Sequence, residues 1–147
     1  MVIDASVLVS ALLTDDAHHA QSSELLRALV ASRGSAAVPV LAWAEVAGAI
    51  ARRADSADLA HAALAFLDRQ DWLAALPVDA ALARRATRLA VGQRPRGADA
   101  IYVALAVQRS EVLVTLDKEH LDRAPDSVKP CTPREYLDRS GIGAHPA

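Results

Sequence analysis

Four carboxylate side chains stand at positions where they could do chemistry together. Two directly follow short apolar runs, and two lie in or open stretches that are otherwise almost entirely apolar: Asp4, Glu45, Asp99 and Asp117. Carboxylates gathered within a few ångströms repel one another unless a cation lies between them. Because no cluster of His or Cys accompanies these acids, the set favours Mg²⁺ or Mn²⁺ over Zn²⁺.

Two hydroxyl side chains, Ser6 and Thr115, lie close to the acids in sequence. A metal ion held by carboxylates can activate water and stabilise charge that develops on a phosphodiester. The hydroxyls could then orient a carboxylate or a bound water, or they could simply bond to the backbone. The acids also have a structural interpretation. Asp4, Asp99 and Asp117 could each cap a following helix, since Asp is a favoured N-cap residue.

Glu45 is the acid least easily explained by capping. It lies within residues 41–53, which we predict to be a helix that is apolar almost all round and therefore buried. A buried glutamate must find a cation or lose its charge. No lysine or arginine occurs three or four positions before or after Glu45, so it has no cation on its own helix turn.

Alternating strands and helices would position these side chains. The predicted strands are residues 1–3, 36–40, 72–78, 111–116 and 128–129. One predicted helix begins directly after Asp4. Further helices are predicted at about residues 17–32, 41–53, 55–69, 80–90, 100–107 and 132–139. Such alternation implies crossover connections and a parallel sheet covered on both faces. We therefore predict a three-layer α/β/α sandwich with a short-stranded parallel sheet, residues 1–3 forming its central strand.

Length and composition bound the class of protein. A chain of 147 residues suits a single domain, which we place at residues 1–139, with residues 140–147 as a flexible tail. A hydrophobic fraction of 52% with 23% charged residues is typical of a globular protein. The single cysteine, Cys131, cannot form an internal disulfide, so we expect the cytoplasm. We predict neither a signal peptide nor a membrane span.

Arginine accounts for most of the positive charge. The net charge of −2 gives no overall attraction to nucleic acid, but the arginines are clustered: Arg52 with Arg53, Arg84 and Arg85 with Arg88, and Arg94 with Arg96. Arginine is suited to bidentate contacts with phosphate. The alternative is that these clusters are solvated helix faces. The sequence leaves both interpretations open.

Four short motifs keep the order and intervals of a known family. They are residues 2–8 (VIDASVL), 44–46 (AEV), 96–106 (RGADAIYVALA) and 113–118 (LVTLDK). Together they resemble the PIN-domain ribonucleases, in particular the VapC-type toxins of bacterial toxin–antitoxin pairs, up to about residue 137. The resemblance implies a PIN-like fold and a Mg²⁺-dependent endoribonuclease. The four acids match the family's acidic positions, and Thr115 matches its hydroxyl before the last acid.

The resemblance also implies partners. Members of the family it resembles act on structured or translational RNA and usually dimerise. They are held inactive by a VapB-type antitoxin whose tail enters the acidic site, often through an arginine. This chain departs from the family at one point. Where an Asn commonly precedes the last acid, Leu116 precedes Asp117, and Asp122 or Glu119 could assist instead of Asp117.

Two other functions are compatible with the sequence. A catalytically silent RNA- or partner-binding module on the same fold would bind RNA without metal-dependent turnover. A receiver-type signalling domain also has an acidic Mg²⁺ pocket at strand ends, but its phosphoacceptor Asp should follow a middle strand. Here Glu45 lies within a predicted helix instead. The metal-dependent ribonuclease is therefore our first hypothesis.

Overall fold

A parallel sheet of short strands forms the centre of the molecule, for which a computed structural model describes residues 1–93 and 97–142. The strands of the described ranges are β1 (Val2–Ile3), β2 (Ala36–Pro39), β3 (Leu73–Leu76), β4 (Leu113–Val114) and β5 (Pro130–Cys131). Their order across the sheet is β3-β2-β1-β4-β5, and all neighbours are parallel. The prediction that the first apolar run forms the central strand is confirmed.

The central strand β1 and its neighbour β4 are fully buried. Val2 pairs with Ala37 on one side and with Leu113 on the other. Val2, Ile3, Leu113 and Val114 have no exposed surface. Strands this short are stable here because helices exclude water from both faces, and such strands are apolar throughout rather than alternating.

Helices follow every strand and cover the sheet. They are α1 (Ala5–Leu12), α2 (His19–Ala31), α3 (Ala42–Ala54), α4 (Ala57–Leu67), α5 (Ala80–Gln93), α6 (Gly97–Arg109), α7 (Lys118–Arg123) and α8 (Pro133–Ser140). Each parallel connection therefore contains one or two helices, as crossover geometry requires. The predicted α/β/α sandwich is confirmed. No helix within the described ranges combines the length and hydropathy needed to cross a bilayer.

The end of the chain differs from the prediction in two elements. Helix α7 was not among the predicted elements, although Asp117 was considered as a possible helix cap, because six residues are too few for helical periodicity to be recognised. It begins where the Asp117 carboxylate accepts a hydrogen bond from the backbone N–H of Glu119 at 2.7 Å. The last strand is Pro130–Cys131 rather than residues 128–129. Its position is fixed by pairing with β4, which sets Pro130 opposite Leu113.

Helix α3 is less buried than predicted. Its buried positions, Ala42, Val46 and Ile50, recur every four residues and form one stripe. The other faces are rich in alanine, which costs little to expose, so an apolar composition did not require complete burial. Glu45 lies off the stripe and is half-buried. This places its carboxylate at the edge of the core.

Helix α8 is part of the folded body. Its Arg134 donates to Glu24 of α2 at 2.8 Å, and a capping box at Thr132 starts the helix. Residues 143–147 of the predicted tail lie outside the described residues, as do Arg94 and Arg96 of the third arginine cluster. The division into a domain of residues 1–139 and a flexible tail stays a prediction.

Candidate metal and active site

The four predicted acids line one pocket of about 460 Å³ at the carboxyl edge of the sheet. Asp4 follows β1 and caps α1, and Asp117 follows the end of β4 and caps α7. Glu45 comes from α3, and Asp99 comes from the first turn of α6. Parallel strands end at the same edge, which is why side chains far apart in sequence converge here.

Asp4 is held by three donors. Its Oδ1 accepts from the backbone N–H of Ser6 at 2.8 Å. Its Oδ2 accepts from the Thr115 hydroxyl at 2.8 Å and lies 2.8 Å from Nδ1 of His120. Burial would raise the pKa of Asp4, but the hydrogen bonds from His120 and Ser6 outweigh it and lower the pKa. The carboxylate is therefore ionised and fixed, and Oδ1 retains a further acceptor site.

Thr115 and Ser6 join the end of β4 to the start of α1. Thr115 is fully buried, donates its proton to Asp4 and accepts from the backbone N–H of Asp117 at 2.9 Å. The Ser6 hydroxyl accepts from the backbone N–H of Leu116 at 3.2 Å. Thr115 thus orients the Asp4 carboxylate. The contact observed for the Ser6 hydroxyl is with the backbone instead, which was the alternative to a role in the site.

His120 is a site residue that the sequence analysis missed. It is buried, its Nδ1 contacts Asp4, and its Nε2 lies 3.8 Å from Oδ1 of Asp99. Burial would lower the pKa of His120, but its hydrogen bond to Asp4 and the neighbouring negative charges outweigh burial and raise the pKa. A protonated His120 offsets part of the negative charge of the pocket. The available signal was its spacing of three residues from Asp117, which places both on one side of a helix start.

Glu45 finds its hydrogen-bond partner on α6. Tyr102, whose ring is buried, donates its hydroxyl proton to Oε2 of Glu45. Burial raises the pKa of Glu45, the Tyr102 bond opposes this, and the charges of Asp4 and Asp99 raise the pKa further. Burial and the Glu45 acceptor also raise the pKa of Tyr102, so the hydroxyl stays protonated. The acids are therefore close enough to repel one another, the condition in which a cation is stabilising.

The chemistry of the pocket suits a hard divalent cation. Within the described ranges, no three His, Cys, Asp or Glu side chains are arranged so as to bind one ion together. Mg²⁺ does not require such a cage, because it commonly keeps several waters and is held by one or two carboxylates with substrate phosphates. An excess of carboxylate oxygen around one opening meets that requirement.

Part of the pocket rim is basic. Arg52 and Arg53 near the end of α3 line it together with His18, which precedes α2. Arg53 donates to Oδ2 of Asp16 at 2.6 Å. Oδ1 of Asp16 accepts from the Ser10 hydroxyl at 2.7 Å and from the backbone N–H of His18 at 2.8 Å. Burial would raise the pKa of Asp16, but these bonds lower it to about 2.

The substitutes considered for Asp117 do not reach the pocket. Glu119 and Asp122 are absent from its lining, and Asp122 is exposed. Asp117 itself lines the pocket despite the preceding Leu116. Of the two predicted hydroxyl residues, Ser6 lines the pocket and Thr115 lies behind it, bonded to Asp4.

Residues 1–126 match the PIN domain family. The fold is similar to that of VapC20 from Mycobacterium tuberculosis, a toxin that cleaves the sarcin–ricin loop. The TM-score is 0.68 at 20% sequence identity, covering 80% of this chain and 89% of that one. A chain of a toxin–antitoxin complex from Klebsiella pneumoniae gives a TM-score of 0.62 at 19% identity, covering 90% of this chain and 96% of that one. No curated protein matches the sequence significantly.

Proposed function

The chain belongs to the PIN domain family, and we propose that it is a Mg²⁺-dependent endoribonuclease that acts as the toxin of a VapBC-type toxin–antitoxin pair. The observation that carries the proposal is the convergence of four carboxylates on one pocket at the carboxyl edge of the sheet. The choice of a toxin is supported by the structural neighbours, one a toxin that cleaves RNA and the other part of a toxin–antitoxin complex.

Asp4, Glu45, Asp99 and Asp117 would hold the cation, Mg²⁺ or Mn²⁺, some of them through water. When bound, the cation would supply stabilisation of the charge on the phosphate and activation of the water nucleophile. The excess of negative charge in the pocket supports this assignment. Within the described residues, His120 lies beside Asp4 and Asp99 and would offset part of this negative charge when protonated.

Side chains in and behind the pocket wall hold the acids in place. Thr115 and His120 occupy Oδ2 of Asp4, whereas Oδ1 accepts only from the backbone N–H of Ser6 and keeps a second acceptor site for a ligand. Tyr102 occupies Oε2 of Glu45 and leaves Oε1 in the same way. Partners of this kind fix the orientation of carboxylates that bind metal ions, and their removal typically weakens metal binding or activity.

Ribosomal RNA is the first substrate to test, since the neighbour from Mycobacterium tuberculosis cleaves the sarcin–ricin loop. We expect Mg²⁺ to support cleavage and EDTA to abolish it. The Asp99→Asn protein should lose at least about 100-fold in cleavage rate, the scale for removing one preorganised group that stabilises charge in the transition state. Cleavage is measured by gel electrophoresis, and circular dichroism verifies that the variant folds.

The matched control is Asp126→Asn, which removes the same charge from an exposed position away from the pocket. It should cleave RNA as the wild type does. Equal cleavage by Asp99→Asn and the wild type would overturn the proposal. RNA that is bound but never cleaved, with any metal, would favour the catalytically silent binding module instead.

We also propose a small VapB-type antitoxin as partner, a homodimer as the assembled state, and the cytoplasm as location. Exposed apolar side chains that include Val40, Leu59, Phe66 and Val91 are candidates for buried contacts in such assemblies. An adjacent reading frame for a small basic DNA-binding protein would support the antitoxin. Light scattering after gel filtration gives the mass, and a monomer at micromolar concentration would contradict the dimer.

A further inference from the structure

The basic part of the rim calls for an explanation that a cation site does not provide. The centre of the pocket is negative, yet Arg52 and His18 line the same opening. Neither a cationic side chain such as Arg52 nor an N–H donor such as His18 strengthens the binding of a cation beside it. They are useful if the pocket must also attract an anion.

Arg52 lies on the same face of α3 as Glu45. The two are seven residues apart, with Gly48 and Ala49 between them on that face, so their Cα atoms are separated by about 10 Å along the helix axis. A Cβ atom at Gly48 would lie only 3.0 Å from Nη1 of Arg52. The guanidinium therefore rests on the glycine one turn back, towards Glu45, and the missing side chain at position 48 gives it room.

Arg52 is also the rim arginine whose charge is not neutralised locally. Arg53 is bound to Asp16 by an ion pair of 2.6 Å. Among the described residues, no carboxylate lies within ion-pair distance of Arg52. The Asp16–Arg53 pair connects α3 to the segment after α1, and through the backbone N–H of His18 it fixes where that histidine stands.

His18 offers a second donor to the same opening. The Gln21 amide nitrogen lies 2.8 Å from Nδ1 of His18. Because an amide nitrogen can only donate, Nδ1 accepts, and a neutral His18 carries its proton on Nε2. The exposed ring therefore presents an N–H group.

We propose that Arg52, together with His18, binds a phosphate of the RNA strand next to the scissile one. The proposal rests on the ribonuclease function proposed above and adds to it a specific contact with the substrate. A polyanion must approach an acidic pocket on a protein of net charge −2, so a cationic side chain at the rim adds an attraction that the overall charge does not provide. Arginine suits this because its guanidinium binds phosphate through two parallel hydrogen bonds.

Binding can be measured separately from cleavage. A short labelled random-sequence RNA is titrated with the full chain in Ca²⁺, and a gel verifies that the RNA stays intact. For Arg52→Ala we expect several-fold weaker binding. The slope of log K against log salt should fall by about 0.7, the value for one lost contact to single-stranded nucleic acid. Arg52→Lys should restore the slope and only part of the affinity, and His18→Ala should weaken binding less.

The matched control is Arg69→Ala. Arg69 is also exposed but precedes β3, so it lies at the other edge of the sheet, beside a separate pocket. The Arg69→Ala protein should have an RNA affinity and a salt slope close to those of the wild type. Equal losses for Arg52→Ala and Arg69→Ala, or no loss for either, would overturn the proposal.

Gly48→Ala gives a test that keeps every charge. The added methyl group would displace the guanidinium of Arg52 without unfolding the helix, since alanine favours helix. RNA binding should weaken while the melting temperature does not fall. Unchanged RNA binding would count against a phosphate contact by Arg52 in this position.

If the wild-type protein binds no RNA at all, the ribonuclease function itself fails. If RNA is cleaved and Arg52→Ala binds it normally, only the present inference fails.

Discussion

Asp4 and Asp16 line the same pocket and are held in nearly the same way. Each accepts from one hydroxyl, one backbone N–H two residues on and one basic side chain, and each has a lowered pKa. Their surroundings differ. Asp4 is buried beside three further acids, whereas Asp16 lies at the rim with arginines.

The comparison indicates that satisfied hydrogen bonds do not distinguish a structural carboxylate from a functional one. At Asp16 the ion pair with Arg53 balances the charge, and Arg52 adds a positive charge. Among the described residues at the centre, Asp4, Glu45, Asp99 and Asp117 outnumber the imidazole of His120. The pocket therefore has an excess of negative charge at its centre and of positive charge at its rim. A phosphodiester substrate with a divalent cation complements both.

The stability that the centre of the pocket contributes should decrease as the pH rises. A histidine whose pKa is raised on folding adds stability below its ordinary pKa of 6.5 and loses that contribution as pH rises through the folded-state value. In EDTA, wild-type stability should therefore fall over this interval, by about 1.4 kcal/mol for each unit by which the pKa is raised. His120→Gln should lack this fall, because glutamine keeps a hydrogen bond but carries no proton. Urea unfolding at a series of pH values measures it.

His61→Gln is the control for that experiment, since His61 is exposed on α4. It should retain the pH dependence of the wild type. If His120→Gln and His61→Gln lose stability equally as pH rises, the imidazole does not offset the charge of the centre. The distinction drawn between centre and rim would then lose its main support.

The stability that the rim contributes should decrease as the pH falls, and this effect should be smaller than that of the centre. Asp16 has a pKa lowered from 3.8 to about 2, so its contribution is present above pH 3.8 and is lost as pH falls towards 2. Because the Arg53 side chain is 43% exposed, water screens the pair, and Asp16→Asn should cost only about 1 kcal/mol at neutral pH. Urea unfolding of this variant above and below pH 3.8 is the measurement. A cost that persists unchanged at low pH would show that it does not arise from the charge.

The sequence allowed the fold and the convergence of the four acids to be predicted, because both depend on local patterns. Residues 1–3 are apolar and too few for a helix, so Asp4 had to stand at a strand end. Glu45 was notable because no lysine or arginine lies within one turn of it on its own helix. These inferences needed only chain direction and helical periodicity.

The partners of the acids could not be predicted, because they depend on contacts between distant elements. Tyr102 is 57 residues from Glu45, and Arg53 is 37 residues from Asp16. His120 lies on a helix too short to produce a periodic pattern. The exposure of Ala44 on α3 was missed for another reason: alanine is common on either side of a helix, so composition did not decide which face is buried.

Direct titration with Mn²⁺, followed by its electron paramagnetic resonance signal, tests most directly whether the centre of the pocket is a cation site. Asp4→Asn and Asp16→Asn make the same chemical change in the two regions, and both proteins should remain folded. Wild type and Asp16→Asn are predicted to bind Mn²⁺ with similar affinity, and Asp4→Asn is predicted to bind at least about tenfold more weakly. Equal Mn²⁺ binding by all three proteins would contradict the account.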